Sequence, residues 1–432
     1  MGAAPEDREF MAAAIRLSRR NLGLTGTNPS VGCVIVKDGE IVGEAVTAPG
    51  GRPHAETQAL DIAGGKARGA TVYVTLEPCS HYGRTPPCAN ALVEAGVARV
   101  VVCLTDPDPR VSGRGLAILR DAGIAVETGL MEEEGRRALA GYLMRQTKGR
   151  PYVTLKLAVS ADGKLGRRGE EVAITGPEAR AEVHRLRAQS DAILVGIGTA
   201  LSDDPELTVR LPGMEDRSPI RIVLDRRLQL PLDSKLVRTA RDVPVIVVAA
   251  PSSVFPADAP LTPPSALPGI SPSRGEIDGA AARSTSSPDA VESPSGSADE
   301  TTKTGRGAGS LPISPPVGEM PGRAEGGELA RRIDGLKAAG VEIMETSDLD
   351  ILLAIFAARG ISSLLVEGGA VVAKAFLEAG LVDHVLLFQG AGAIGEGGLE
   401  SPLTPSDMPA GFTLVRESAF GADRLFEYER GF

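Results

Sequence analysis

The sequence predicts an α/β protein built from two consecutive units. Three observations carry this. Short β-branched runs alternate with segments of helical period over residues 6–147, and the same rhythm restarts after Pro151. Glycine, proline and turn dipeptides punctuate the runs at their ends. Residues 252–326, rich in Pro, Ser, Gly, Ala and Thr, have no apolar period and cannot bury a core. The α/β rhythm resumes beyond them, so this low-complexity insertion interrupts the second unit rather than separating two. The predicted divisions are therefore 1–147, 151–432 and, within the latter, the insertion 252–326.

The elements follow in order. Residues 6–20 form an amphipathic helix with Phe10, Ala14 and Leu17 on one stripe. Strands 31–37 and 40–46 are joined by Asp38-Gly39, a favoured hairpin dipeptide. The next helix carries His54 and Glu56 and runs to about Ala63. Thr71–Leu76 is a strand that Glu77-Pro78 ends. Cys88 opens a helix over Ala89–Ala95, followed by strand 99–104, a helix near 114–122 and a strand near 124–128. In the second unit, strand Tyr152–Val159 leads to Ser160–Lys164, then a helix over 177–189. Buried strands recur at 191–195, 220–225 and 243–249. Past the insertion come helix 328–339, strand 341–345, helix 348–358 and strand 363–366; Glu367–Ala370 then opens another helix. Beyond that helix the pattern assigns no further element.

Composition narrows the function. The 432 residues carry 46 Lys and Arg against 56 Asp and Glu, a net charge of −10, which opposes the basic face that nucleic-acid binding needs. Tryptophan is absent and aromatics are 3%, so base-stacking platforms are scarce. Four cysteines do not make a disulfide framework and fit a reducing cytoplasm. Met1–Phe10 lacks an apolar signal core, and no apolar run approaches the roughly 18 residues of a membrane span. The expectation is a cytoplasmic enzyme with no nucleic-acid and no membrane partner.

The chemistry concentrates in His54-Ala55-Glu56, Pro78-Cys79 and Cys88. Zinc deaminases of nucleobases use this set: His and two Cys hold Zn²⁺, and a Glu that is not a ligand moves protons. Three protein ligands leave one tetrahedral position for water, as in a catalytic rather than a structural site. His-x-Glu and Pro-Cys are each common by chance, and Cys79–Cys88 is wider than Cys-x-x-Cys; the combination carries the reading. Cys33 or Cys103 could add a fourth ligand and close the site, but both lie in runs that read as buried strands, where Cys is an inert small hydrophobe. Cys79 falls at a strand's C-terminal end, where open α/β sheets place their sites. Cys88 falls at a helix N-terminus, which favours thiolate. Between them, His81 and Arg84 supply a donor and a cation suited to a phosphorylated small substrate, against the plain alternative of a solvated loop.

The second unit is quieter. Glu367-Gly368-Gly369 lies after a buried strand and before a helix, a place where backbone N–H groups can cradle a pyrophosphate or simply turn the chain. Gly196-Ile197-Gly198 is placed similarly but lacks the third Gly of a dinucleotide fingerprint. Asp203-Asp204-Pro205 reads as a capped turn, and Arg187 lies on the charged face of a helix.

Six pieces in this order resemble the bifunctional riboflavin-biosynthesis deaminase/reductase family: Thr27–Cys33, Gly51–Glu56, Leu76–Cys88, Lys156–Lys164, Ala200–Arg210 and Leu365–Ala370. The long Cys-loop-Cys piece is the most specific, and the resemblance spans the chain except for the insertion. It implies a cytidine-deaminase-like three-layer domain followed by a dihydrofolate-reductase-like one, and a homo-oligomer. It implies zinc-dependent deamination of 2,5-diamino-6-ribosylamino-4(3H)-pyrimidinone 5′-phosphate, then NADPH-dependent reduction of the ribosyl group to ribityl. By the same resemblance, His54, Cys79 and Cys88 hold Zn²⁺, Glu56 is catalytic, and Asn28, His81 and Arg84 hold the first substrate. Arg187, Leu207, Arg210 and Glu367 line the second substrate site, while Ala158, Thr199, Asp203, Gly368 and Gly369 meet NADPH. Hydride transfer is the cofactor's chemistry, which accounts for the lack of a prominent acid–base pair in this half. Two rivals remain: a deaminase with a degenerate C-terminal half, and a nucleic-acid-binding or tRNA-editing protein, which the acidic balance disfavours.

Overall fold

The computed structural model describes residues 5–82, 86–167, 170, 172–251 and 326–431, with side chains from Leu329 onward in the last stretch. The insertion expected over 252–326 therefore lies outside the described residues, Gly326 excepted.

The N-terminal half runs α1 (Pro5–Ser18), β1 (Gly32–Lys37), β2 (Glu40–Val46), α2 (Ala55–Ala63), β3 (Thr71–Leu76), α3 (Cys88–Ala95), β4 (Arg99–Leu104), α4 (Arg114–Asp121), β5 (Ala125–Thr128), α5 (Glu132–Ala138) and α6 (Ala140–Lys148). Its five strands lie in the order β2-β1-β3-β4-β5, with β1 antiparallel to both neighbours and β3, β4 and β5 parallel. The β1–β2 turn places Asp38 at φ 53° and Gly39 at φ 81°, as a type I′ hairpin requires. Strands β1, β3 and β4 are buried almost end to end, because α2, α3 and α4 cover one face of the sheet and α1 with α5 the other. The helix expected to carry His54 begins one residue later. His54 is the residue before its first turn, in extended conformation at φ −70° and ψ 161°.

The C-terminal half runs β6 (Tyr152–Val159), β7 (Lys164–Arg167), α7 (Pro177–Ala188), β8 (Ala192–Gly196), α8 (Ile197–Asp203), β9 (Ile220–Leu224), α9 (Lys235–Arg238), β10 (Val245–Ala249), α10 (Gly326–Ala338), β11 (Glu342–Glu345), α11 (Leu349–Ala358), β12 (Ser363–Val366), α12 (Ala370–Glu378), β13 (His384–Gln389), β14 (Gly398–Glu400), β15 (Phe412–Phe420) and β16 (Asp423–Arg430). A nine-stranded sheet takes the order β11-β10-β9-β8-β12-β6-β13-β16-β15. The first seven strands are parallel, and β16 and β15 add an antiparallel edge. Strands β8, β9 and β10 are buried on both faces, which is why β8 and β10 read as continuous apolar runs and β9 as one broken only by Arg221, whose buried guanidinium donates to Thr239 Oγ1 and the Thr239 carbonyl. β6 instead alternates: Val153, Leu155, Leu157 and Val159 are buried, while Thr154, Lys156 and Ala158 on its other face are half-buried. β10 and β11 are parallel neighbours, so the chain leaves the sheet after β10 and returns through α10 to the adjacent position. The insertion thus occupies one crossover.

Helices α5 and α6 and strands β13 to β16 are elements the sequence pattern does not single out. Helix α5 opens on three glutamates and buries only Gly135 and Ala138. Strand β16 has charged residues inside it, and Glu427 is buried there because Arg416 of β15 pairs with it at 2.6 Å. Strand pairing creates these environments, and no local apolar run announces them.

Candidate active sites

The N-terminal centre gathers at the C-terminal end of β3. One nitrogen of His54 and the sulfurs of Cys79 and Cys88 lie within 4.8 Å of one another. His54 Nδ1 is 3.3 Å from Cys88 Sγ and 3.6 Å from Cys79 Sγ, and the Cys88 amide donates to Cys79 Sγ at 3.3 Å. One imidazole nitrogen and two converging thiols are the donor set of a three-ligand zinc site. The hydrogen bond from Cys88 draws Cys79 down to about 4, and the same bond with burial pushes Cys88 up. A bound cation would take both as thiolates.

Glu56 lies in the first turn of α2, 3% exposed, with its carboxyl hydrogen-bonded to Cys88. Burial raises it to about 7, and the charge of His54 opposes that rise. A carboxyl poised near neutrality can both take and return a proton. Cys33 is fully buried beside Glu56, and burial raises its thiol far above the usual range. Cys103 donates to the Met131 carbonyl at 3.2 Å. Among the described residues neither belongs to the ligand cluster.

Asn28 reaches this centre through the loop that leads to His54. Its Nδ2 donates to the Gly51 carbonyl at 3.2 Å. Gly51 has φ 83°, and a Cβ there would stand 2.2 Å from Asn28 Nδ2, so only glycine lets the two segments meet. His81 is half-buried, and its Nδ1 has no hydrogen-bond partner among the described residues. Arg84 lies outside the described residues.

The second centre lies where β8 and β12, adjacent and parallel, end together. Gly196 leads into α8 and Gly368-Gly369 into α12. The two turns face each other: a Cβ on Gly369 would stand 3.4 Å from Thr199 Oγ1, and one on Gly196 2.7 Å from Val372. This crevice between consecutive helix N-termini suits a pyrophosphate. Beside it, Arg187 at the end of α7 grips Glu367 with two bonds, of 2.8 and 3.0 Å. Burial works against the Glu367 charge, but Arg187 and Lys156 hold its carboxyl below the usual range. Ala158 lies on the same face of β6 as Lys156. Arg210 is drawn toward this cluster by its amide, which donates to His184 Nδ1 at 3.3 Å, while its exposed guanidinium pairs with Glu206 at 3.0 Å. Two predicted residues are placed differently from the expectation. The Leu207 side chain packs into the core with Ile193 and Val223, 3% exposed, so only its backbone, at φ 56°, is free for a ligand. Asp203, expected in a turn, ends helix α8 and accepts from Ser202 Oγ at 2.6 Å.

Comparison with known proteins decides the family. The model for the cytidine and deoxycytidylate deaminase zinc-binding region matches residues 4–104, and that for the RibD C-terminal domain matches 151–254 and 328–426. The chain is 34% identical over 381 residues to riboflavin biosynthesis protein RibD of Bacillus amyloliquefaciens, covering 87% of this chain and 82% of that protein. It is 50% identical over 258 residues to RibD of Escherichia coli (strain K12), 55% of this chain and 70% of that one. The chain belongs to the RibD family. Acinetobacter baumannii RibD, form 1, superposes with a TM-score of 0.73 at 32% identity over 99% of both chains. A diaminohydroxyphosphoribosylaminopyrimidine deaminase/5-amino-6-(5-phosphoribosylamino)uracil reductase from Thermotoga maritima gives 0.72 at 29%, again over 99% of both.

The two matched segments of the RibD C-terminal domain flank the insertion, in agreement with the single crossover between β10 and β11. The RibD fold classes expected from the resemblance, a deaminase domain followed by a reductase domain, hold. The structure gives roles to two residues that lie in the family-like pieces without one. Glu77, buried between β3 and Pro78, accepts backbone N–H bonds from Asp106, Gly113, Gly115 and Leu116 at 3.0–3.4 Å, and so ties the Cys79 turn to the start of α4. Its position one residue before Pro78-Cys79 was the available signal. Lys156 lies on the half-buried face of β6, 4.0 Å from Glu367 and 5.8 Å from the centre of the Phe388 ring. Burial lowers its amine, and Glu367 resists that. Within an alternating strand a lysine reads as solvent-facing, so although Lys156 opens one of the six family-like pieces, its place there assigned it no role.

Proposed function

We propose that this chain is a bifunctional riboflavin-biosynthesis enzyme, with residues 1–147 as a pyrimidine deaminase and 151–432 as a reductase. The observation that carries the reading is the His54–Cys79–Cys88 cluster with Glu56 buried against it, in a chain whose other half matches the RibD C-terminal domain. The first substrate is 2,5-diamino-6-ribosylamino-4(3H)-pyrimidinone 5′-phosphate, a small phosphorylated pyrimidine. His54, Cys79 and Cys88 would hold Zn²⁺, which when bound makes hydroxide available at neutral pH. Glu56 takes a proton at its carboxylate and returns it to the departing amine. Asn28, His81 and Arg84 hold the substrate.

In the second half, bound NADPH supplies the hydride. The Gly368-Gly369 turn, Thr199 and Ala158 hold and orient the cofactor, with Asp203 near its edge. The Arg187–Glu367 pair, Arg210 and the Leu207 backbone hold the sugar phosphate. Lys156 is the buried amine of the crevice and holds the proton that the reduced sugar needs. The two ligand thiols must stay reduced, which supports a cytoplasmic location for the enzyme. Purified protein given the diaminopyrimidine ribotide tests this, with ammonia and NADPH followed in one tube. Ammonia followed by NADPH oxidation is expected. Ammonia without NADPH oxidation would remove the reductase assignment, and no ammonia from zinc-loaded protein would remove the deaminase assignment.

A further inference from the structure

The loop that carries Asn28 does not rest on its own sheet alone. Three pieces of the C-terminal half embrace it. Arg217 donates to the Arg20 carbonyl at 3.1 Å. The end of α7 abuts Gly23, where a Cβ would stand 3.1 Å from the Ala188 carbonyl. The turn before β12 abuts Thr27: Gly360 has φ 89°, and a Cβ there would stand 2.6 Å from Thr27 Cγ2. Arg145 of α6 bridges loop and turn. Its guanidinium donates to the Thr27 carbonyl and, through Nε, to Ser362 Oγ at 2.9 Å. The turn is itself rigid, because Asp191 Oδ2 accepts from the Ser362 amide at 2.8 Å and the Ser363 amide at 2.9 Å. Helix α6 sits directly on the turn, since a Cβ on Gly141 would stand 2.9 Å from the Ser362 carbonyl.

From Thr27 the contacts continue toward the metal ligands. Asn28 follows in sequence and bonds the Gly51 carbonyl, and Gly51 lies three residues before His54. Thr25 Oγ1 closes the loop on the Asn28 carbonyl at 2.8 Å, and the Gly50 amide bonds the Leu24 carbonyl at 2.8 Å. The segment is thus internally braced and can shift as one body.

We propose that Arg145 is a positioning residue for the deaminase substrate, which seats the Asn28 loop on the Gly360–Ser362 turn of the reductase half. The deaminase site is then complete only when the second domain is docked. This deepens the deaminase reading and rests on it. A charged donor bound to a carbonyl and a hydroxyl contributes enough that its loss should raise the deaminase KM at least about tenfold.

The test compares full-length wild type, Arg145→Ala and Arg145→Lys. Four readings are taken: ammonia kinetics, NADPH oxidation with the deaminated intermediate, zinc content, and amide hydrogen exchange of the peptide spanning residues 19–30. In Arg145→Ala we expect a raised KM for ammonia release with kcat within about threefold of wild type. Zinc content and reductase kinetics should be unchanged, and exchange in 19–30 faster. Arg145→Lys, which keeps a donor, should recover part of both the KM and the protection. Unchanged KM, unchanged exchange, or an equal fall in both activities would overturn the proposal. Should zinc-loaded wild type release no ammonia, the deaminase reading fails separately, and the exchange of 19–30 alone decides whether Arg145 orders the loop.

Discussion

The two sites of this molecule place their chemistry in different kinds of atoms. The deaminase centre is made of side chains with few substitutes: an imidazole, two thiols and a buried carboxyl brought within a few ångströms. The proposed reductase site is made largely of backbone turns and one buried ion pair, with the reactive group supplied by a cofactor. The first therefore shows as a motif and the second as a shape. The contrast teaches that a quiet sequence does not imply an inert site. It implies that the protein's share of the work is binding and orientation.

The contrast can be broken or sharpened by experiment. The largest effect should come from the deaminase side chains: Glu56→Gln lowers ammonia release by about 10²–10⁴-fold while zinc stays bound. Chelation should abolish ammonia release, and in both cases NADPH oxidation with the deaminated intermediate stays within about twofold. A parallel loss of reduction would mean the two sites are not chemically separate. Next, Glu367→Gln leaves Arg187 buried without its counter-charge, a defect of about 3–5 kcal/mol, and should lower reductase kcat/KM by at least about 10²-fold. Ammonia kinetics of the same variant serve as the internal control.

A subtler test uses pH. Burial lowers the Lys156 amine, so its protonated form is lost at a lower pH than for a free lysine, near about 10.4. If that proton is delivered during reduction, the reductase rate falls as pH rises, with its midpoint below the free-lysine value, and Lys156→Met removes that limb. A flat wild-type profile up to the free-lysine range would leave the crevice with no ionising partner of its own. The smallest effect is expected at the insertion. Replacing residues 255–325 with a short Gly/Ser linker should leave both activities within about twofold, because both flanks feed one crossover of one sheet. Loss of NADPH oxidation alone would show that the segment serves the crevice.

Much of this was legible in the chain. Strands β8 and β10 are apolar throughout because both faces are covered, and β9 is apolar except for the buried Arg221, so a short window identifies them. Strands β15 and β16 escaped because pairing supplies their environment: Leu414 and Val415 stay exposed, while Glu427 is buried against Arg416. The His54–Cys79–Cys88 cluster was legible because Zn²⁺ accepts few donor types and the helix and strand ends that present these side chains are local features. Glu77 and Lys156 were not, since a carboxylate and an amine acquire their roles only from what surrounds them.

The chain alone carries the imidazole, thiol and carboxyl groups of the first site and the alternation of strands and helices. These rest on side-chain chemistry and short-range periodicity, which a chain carries wherever it folds. Only the tertiary structure decided that Gly196 and Gly369 face each other, that Leu207 turns into the core, and that Arg145 spans from the Thr27 carbonyl to Ser362. Those relations join residues tens to hundreds of positions apart. Their energies depend on distance and burial, and neither is a property of any local stretch of sequence.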